Sequence, residues 1–153
     1  MFLKNRIDSF LSKTERNEIA NFIHSLEEKT SGEIRVAVTF KRGFFEKKKS
    51  LQELALKAFF RLKMNNTRDK TGVLLFILVG EKQFHIVADE GINKKVEDGT
   101  WQKIATELSD FFKNQKYKDG IICVLDHIGK ILSLNFPKKS DDANELTNEI
   151  SFQ

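Results

Sequence analysis

The chain has 153 residues, 40% apolar and 31% charged, with one proline and eight glycines, which excludes collagen-like, proline-rich and wholly disordered chains and fits a single globular core. Lys and Arg number 26 against 22 Asp and Glu, a net charge of +4; that surplus is too small to point to nucleic acid as a partner. Cys123 is the only cysteine, so no internal disulfide and no cysteine-rich zinc site can form, and a reducing, cytoplasmic setting is expected. Residues 1–20 hold no signal-peptide run, and no stretch reaches membrane-spanning length, so the expectation is a monomer with no membrane partner.

Ser12 and Glu15 form an S-x-x-E capping box, and Ile19, Phe22, Ile23 and Leu26 follow at helical spacing, which predicts a first main helix over about Lys13 to Lys29. The apolar residues from Phe2 to Leu11 suggest a short helical turn ahead of it. Beyond Thr30, Ser31 and Gly32, the residues Ile34, Val36, Val38 and Phe40 alternate with Glu33, Arg35, Ala37 and Thr39, a first strand with one strongly apolar face. Leu51, Leu54, Ala55, Ala58, Phe59 and Leu62 mark a crossover helix. Val73 to Val79 reads VLLFILV, an unbroken apolar run that a central strand covered on both faces requires. A turn at Gly80, Glu81 and Lys82 leads to a third strand that ends near Asp89, as a hairpin. Asp98, Gly99 and Thr100 offer the start of a helix carrying Trp101, Ile104, Leu108 and Phe112. A last helix follows Asp119 and Gly120 until Pro137 stops it. The reading is one α/β domain over 1–137, a small mixed sheet flanked by about four helices, with an acidic, flexible tail over 138–153.

The strand–helix–strand connection makes strands one and two parallel, and the hairpin returns strand three antiparallel. Three loops therefore meet at one edge of the sheet: Thr30 to Glu33, Asn66 to Thr71, and Asp89 to Asn93. Their carboxylates repel one another unless a proton or a hard cation intervenes, and oxygen donors without Cys or His favour Ca²⁺ or Mg²⁺ over Zn²⁺. The candidate metal ligands are Glu33, Asp69, Asp89 and Glu90, with Asn93 and Asp98 as secondary ligands. Asp89 is the foremost, because a strand holds it and Gly91 lets the backbone bend beyond it. The competing reading is that these are ordinary strand-end acids, satisfied by backbone amides or by Lys70.

The strings Thr30-Ser31-Gly32-Glu33-Ile34, Thr71-Gly72-Val73-Leu74-Leu75 and Asp89-Glu90-Gly91-Ile92 resemble the TPM domain family. Asn144 to Ile150 is similar to the N-E-L-P-x-E-I ending of its small soluble bacterial members, with Thr147 in place of proline; Ala88 stands where glycine commonly precedes the Asp of D-x-G-I. The resemblance implies a three-layer α/β/α sandwich and calcium binding. It also implies acid phosphatase activity, ascribed to the thylakoid member involved in photosystem II repair. Many relatives add a signal peptide and a membrane helix, neither of which this sequence displays.

Other chemistries find no support in the sequence. His24, His85 and His127 have no metal-binding spacing among them, and Cys123 reads as a small hydrophobe inside an apolar helix. G-x-S-x-G, Gly-rich phosphate loops and D-x-D are absent, so a phosphatase here would need metal-activated water. The basic runs Arg42 to Lys49 and Lys113 to Lys118 read as a solvated rim, and Phe44 with Phe45 as a candidate patch for a protein partner. Asp141, Asp142, Glu145 and Glu149 could dock the tail on that rim. Two functions compete: a calcium-binding, cation-regulated interaction module, and a metal-dependent acid phosphatase acting on phosphomonoesters.

Overall fold

The computed structural model describes residues 2–140 and 146–153. Asp141, Asp142 and Glu145, three of the four acids proposed to dock the tail, lie outside the described residues, as does Asn144 of the tail motif. In chain order the elements are α1 (Phe2–Phe10), α2 (Lys13–Glu27), β1 (Glu33–Thr39), α3 (Leu51–Arg61), β2 (Gly72–Leu78), β3 (Gln83–Ala88), the single turn α4 (Glu90–Asn93), α5 (Thr100–Lys113), α6 (Tyr117–Asn135) and β4 (Ser151–Phe152). The capping box at Ser12 forms with both of its hydrogen bonds. Helix α6 begins at Tyr117, ahead of the expected Asp119. Helix α5 starts at Thr100, where the Asp98-Gly99-Thr100 run places it, with Gly99 in a left-handed conformation as its N-cap and no side-chain cap.

The sheet order is β3-β2-β1-β4. Strands β1 and β2 pair in parallel from Glu33↔Gly72 to Thr39↔Leu78, and β3 runs antiparallel to β2 from Val73↔Ala88 to Leu78↔Gln83. All seven residues of β2 are buried, as a doubly covered strand requires. Strand β4 adds a fourth, parallel member beside β1 through Ala37↔Ser151 and Val38↔Phe152. Its two residues are too short to display a period, so the apolar pattern stops at three strands.

The layers are unequal. On one face, Ile34, Val36, Val38, Leu75 and Ile77 meet Ile19 and Ile23 of α2, Leu108 and Phe112 of α5, and Leu125 and Ile128 of α6. On the other, Ala37, Leu74, Phe76 and Leu78 meet a single helix, α3, together with Leu62 and Met64, with Val87 and Leu146 packed at the margin. The sequence pattern gives β1 one apolar face, yet burial extends to both. Glu33 and Arg35, whose side chains alternate with the apolar ones, are 3% and 9% exposed. Arg35 reaches the backbone oxygen of Glu149 at 3.3 Å, and burial together with neighbouring Arg61 pulls its guanidinium below the usual arginine range.

Candidate functional site

The three acid-bearing loops are tied together by backbone. Glu33 N–H donates to the Thr71 carbonyl at 2.9 Å, and Asp89 N–H donates to the Gly72 carbonyl at 2.9 Å. Thr71 Oγ1 donates to the Ser31 carbonyl at 3.3 Å, and Thr71 N–H donates to Thr67 Oγ1 at 3.0 Å. Ser31 N–H reaches the Phe136 carbonyl beyond α6 at 2.9 Å, which pins the first loop to the helical layer. Gly91 lies so close to the carbonyl oxygens of Asp69 and Lys70 that any Cβ there would collide with both. Only glycine lets the second and third loops approach this closely.

Within this frame the carboxylates occupy different settings. Asp89 Oδ1 accepts the Glu90 N–H at 2.8 Å and so caps α4. Its Oδ2 is buried with no hydrogen-bond partner among the described residues. Asp69 is exposed beside Arg68 at 3.4 Å and Lys139 at 3.7 Å. Glu90 and Asp98 are exposed, the first in the turn of α4 and the second in the loop before α5. Asn93 is already engaged, since its Nδ2 donates to the Ala88 carbonyl at 2.8 Å and its Oδ1 accepts from Trp101 Nε1 at 3.1 Å. Among the described residues, no three of the acids Glu33, Asp69, Asp89, Glu90 and Asp98 bring ligand oxygens within 4.8 Å of one another. The loops converge; their carboxylates stand apart.

Glu27 is the functional-edge residue that pattern reading missed. It ends α2 at 5% exposure, and its Oε2 accepts the Ile34 N–H at 2.8 Å. Burial raises its carboxyl to about 9, helped by the hydrogen bond to Glu33 and the charge there; the Ile34 N–H and Lys138 oppose the rise. Glu27 and Glu33 are therefore a pair of buried acids across the α2–β1 connection, an arrangement that favours the protonated form of Glu27. The signal was present in the helical period, because Ile19, Ile23 and Glu27 lie at successive i+4 steps along one buried stripe.

A cleft of about 370 Å³ opens next to this edge, lined by Ser31, Asp69, Thr71, Gly91 and the lysines Lys95, Lys138 and Lys139. Another, of about 290 Å³, lies at the opposite end of β1, where open α/β sheets more often bind ligands. Two of its cations are already committed, Arg42 to Glu81 at 2.7 Å and Lys57 to Glu46 at 2.9 Å. Phe44 and Phe45 are 75% and 89% exposed beside it. Cys123, read from sequence as a core residue, is partly exposed instead.

An α/β/α domain with acidic loops gathered where two parallel strands begin is the class these observations define. The model of the TPM domain matches residues 5–131, and the chain belongs to the TPM domain family. BA42, a protein of the psychrophilic bacterium Bizionia argentinensis solved by NMR, is 35% identical; the match covers 94% of this chain and 96% of that one, with a TM-score of 0.83. The N-terminal domain of a protein from P. gingivalis is 16% identical over 83% of this chain and 79% of its own, with a TM-score of 0.68, a likeness of fold alone. No curated protein matches the sequence. Among the described residues, no helix is long and apolar enough to cross a membrane.

Proposed function

We propose that this TPM domain is a calcium-regulated interaction module whose ion is held by the three loops at the starting ends of β1 and β2. The observation that carries the reading is the partnerless buried Oδ2 of Asp89, next to loops whose backbones already touch. A buried carboxylate oxygen without a donor is costly, and a hard cation is the partner that relieves it. Calcium also accepts backbone carbonyls as ligands, and the Asp69 and Lys70 carbonyls face Gly91. Glu33, Asp69 and Glu90 are the remaining carboxylates within these loops, with Asn93 and Asp98 as outer ligands. Binding would draw Asp69 away from Arg68 and Lys139 and order the loops for a protein partner, with Phe44 and Phe45 as exposed anchors at the other end of β1. We assign the domain to the cytoplasm as a monomer.

Amide-shift titration with Ca²⁺ and with Mg²⁺ tests this. Saturable shifts at residues 30–33, 66–71 and 89–98 are expected, and Asp89→Ala should weaken binding at least about tenfold. Undiminished calcium affinity in Asp89→Ala would sink the assignment. Phosphomonoester hydrolysis is favoured by a separate observation, the cleft that places Lys95, Lys138 and Lys139 beside Asp69, since lysines can hold a phosphoryl group against a metal-activated water. Cation-dependent turnover of an aryl phosphate, abolished in Asp69→Asn and Asp89→Asn with folding intact, would replace the module with the enzyme.

A further inference from the structure

Helices α5 and α6 form a hairpin, and Gly120 lets them close tightly: a Cβ there would lie 2.6 Å from Phe111 Cβ and 2.8 Å from Leu108 Cδ1. Along the flank of this contact, Cys123 and His127 are one helical turn apart on α6 and share a face, and Glu107 reaches them from α5. His127 Nε2 is 3.1 Å from Glu107 Oε2, and Cys123 Sγ is 4.0 Å from the same oxygen. The three ligand atoms lie within 4.8 Å of one another, the one such group of His, Cys, Asp and Glu among the described residues.

We propose that Glu107, Cys123 and His127 form a three-ligand site for zinc, with its fourth position open to water. A tetrahedral zinc ion, with Zn–S of about 2.3 Å and Zn–N or Zn–O of about 2.0 Å, needs ligand atoms about 3.3–3.6 Å apart. The two distances to Glu107 Oε2, 3.1 and 4.0 Å, bracket that spacing, and all three ligand atoms lie within 4.8 Å of one another. The donor set decides the metal: thiolate and imidazole select a borderline ion such as zinc over calcium or magnesium. The side chains of His127 and Glu107 are 43% and 47% exposed, which leaves an entry path and room for the fourth ligand. Lys130, the nearby cation on α6, is held by Asp126 at 2.9 Å. This site is separate from the strand-end loops and independent of the calcium reading.

The full chain, reduced with a phosphine, with and without added Ca²⁺, is titrated with Zn²⁺ by chelator competition and with Co²⁺ by absorption. One zinc per chain is expected, together with a sulfur-to-cobalt charge-transfer band that Cys123→Ser eliminates. His127→Gln and Glu107→Gln should each lower zinc affinity by more than about tenfold, while the amide shifts at residues 89–98 match those of the parent chain. Amide spectra would establish that each variant is folded. No charge-transfer band in the parent chain, or zinc held equally well by Cys123→Ser and His127→Gln, would overturn the site.

Discussion

The two faces of the sheet solve the problem of burial differently. The face under α2, α5 and α6 is apolar throughout, with Ile34, Val36, Val38, Val73, Leu75 and Ile77 fully buried. The face under α3 is thinner, and on it β1 contributes Glu33, Arg35 and Ala37 instead. Stability is concentrated where three helices meet the strands, and the buried ionisable groups gather at the loop edge, Glu33 and Arg35 on β1 and Glu27 at the end of α2.

Truncating equivalent leucines separates the faces most strongly. Leu75→Ala, on the thick side, is expected to cost about 4 kcal/mol, and Leu74→Ala about 2–3 kcal/mol, because flexible Met64 can settle into the gap on the thin side. Urea unfolding of both variants measures the difference; equal losses would show that the layers pack equally well.

A smaller effect, built up across a pH range, belongs to the carboxyl pair. Glu27 binds its proton more tightly when folded, up to about 9 against an ordinary 4.5. Its contribution is fully present below about 4.5 and is lost as pH rises toward 9. Within that window the parent chain should lose stability steadily as pH rises. Glu27→Gln keeps an acceptor for Ile34 N–H and cannot ionise, so its unfolding midpoint should be flatter with pH. Parallel pH profiles for the two proteins would show that Glu27 is not held protonated in the folded chain.

Deleting residues 146–153 should have the smallest effect, about 1–2 kcal/mol. The partly buried Leu146, Ile150 and Phe152 gain burial energy that the cost of ordering the segment largely offsets, and Arg35 would regain water. Hydrogen exchange at the β1 amides reads the loss; unchanged protection would mean that β4 adds nothing.

Much of this was legible in the sequence because period reports burial. The VLLFILV run, the alternation of β1 and the hairpin place the three acidic loops at one edge, and the backbone bonds among Glu33, Thr71, Gly72 and Asp89 follow from that topology. What period cannot report is the phase between neighbouring elements. Nothing in the spacing of Cys123 and His127 says that Glu107 faces them, since that depends on how α5 rotates against α6. Likewise, the separation of the carboxylates at the edge depends on local partners: Asp69 turns to Arg68 and Lys139, and Asn93 to Ala88 and Trp101. Glu27 lay on a readable stripe, but an acid there contradicts the ordinary expectation of an apolar residue.

The strand order also sets a sequence of assembly. Pairing of β2 with β3 closes only a tight turn, and pairing of β1 with β2 must wait for α3 to fold across. The β4 segment meets β1 only after a much longer loop has closed, with Arg35 and Glu149 lying 114 positions apart. Loop-closure entropy rises at each step, so the sheet should zip from the β3 side and fray from the β4 side. Sub-global opening would then begin at the outer edge of β1 and leave the β2–β3 hairpin closed until the whole domain unfolds.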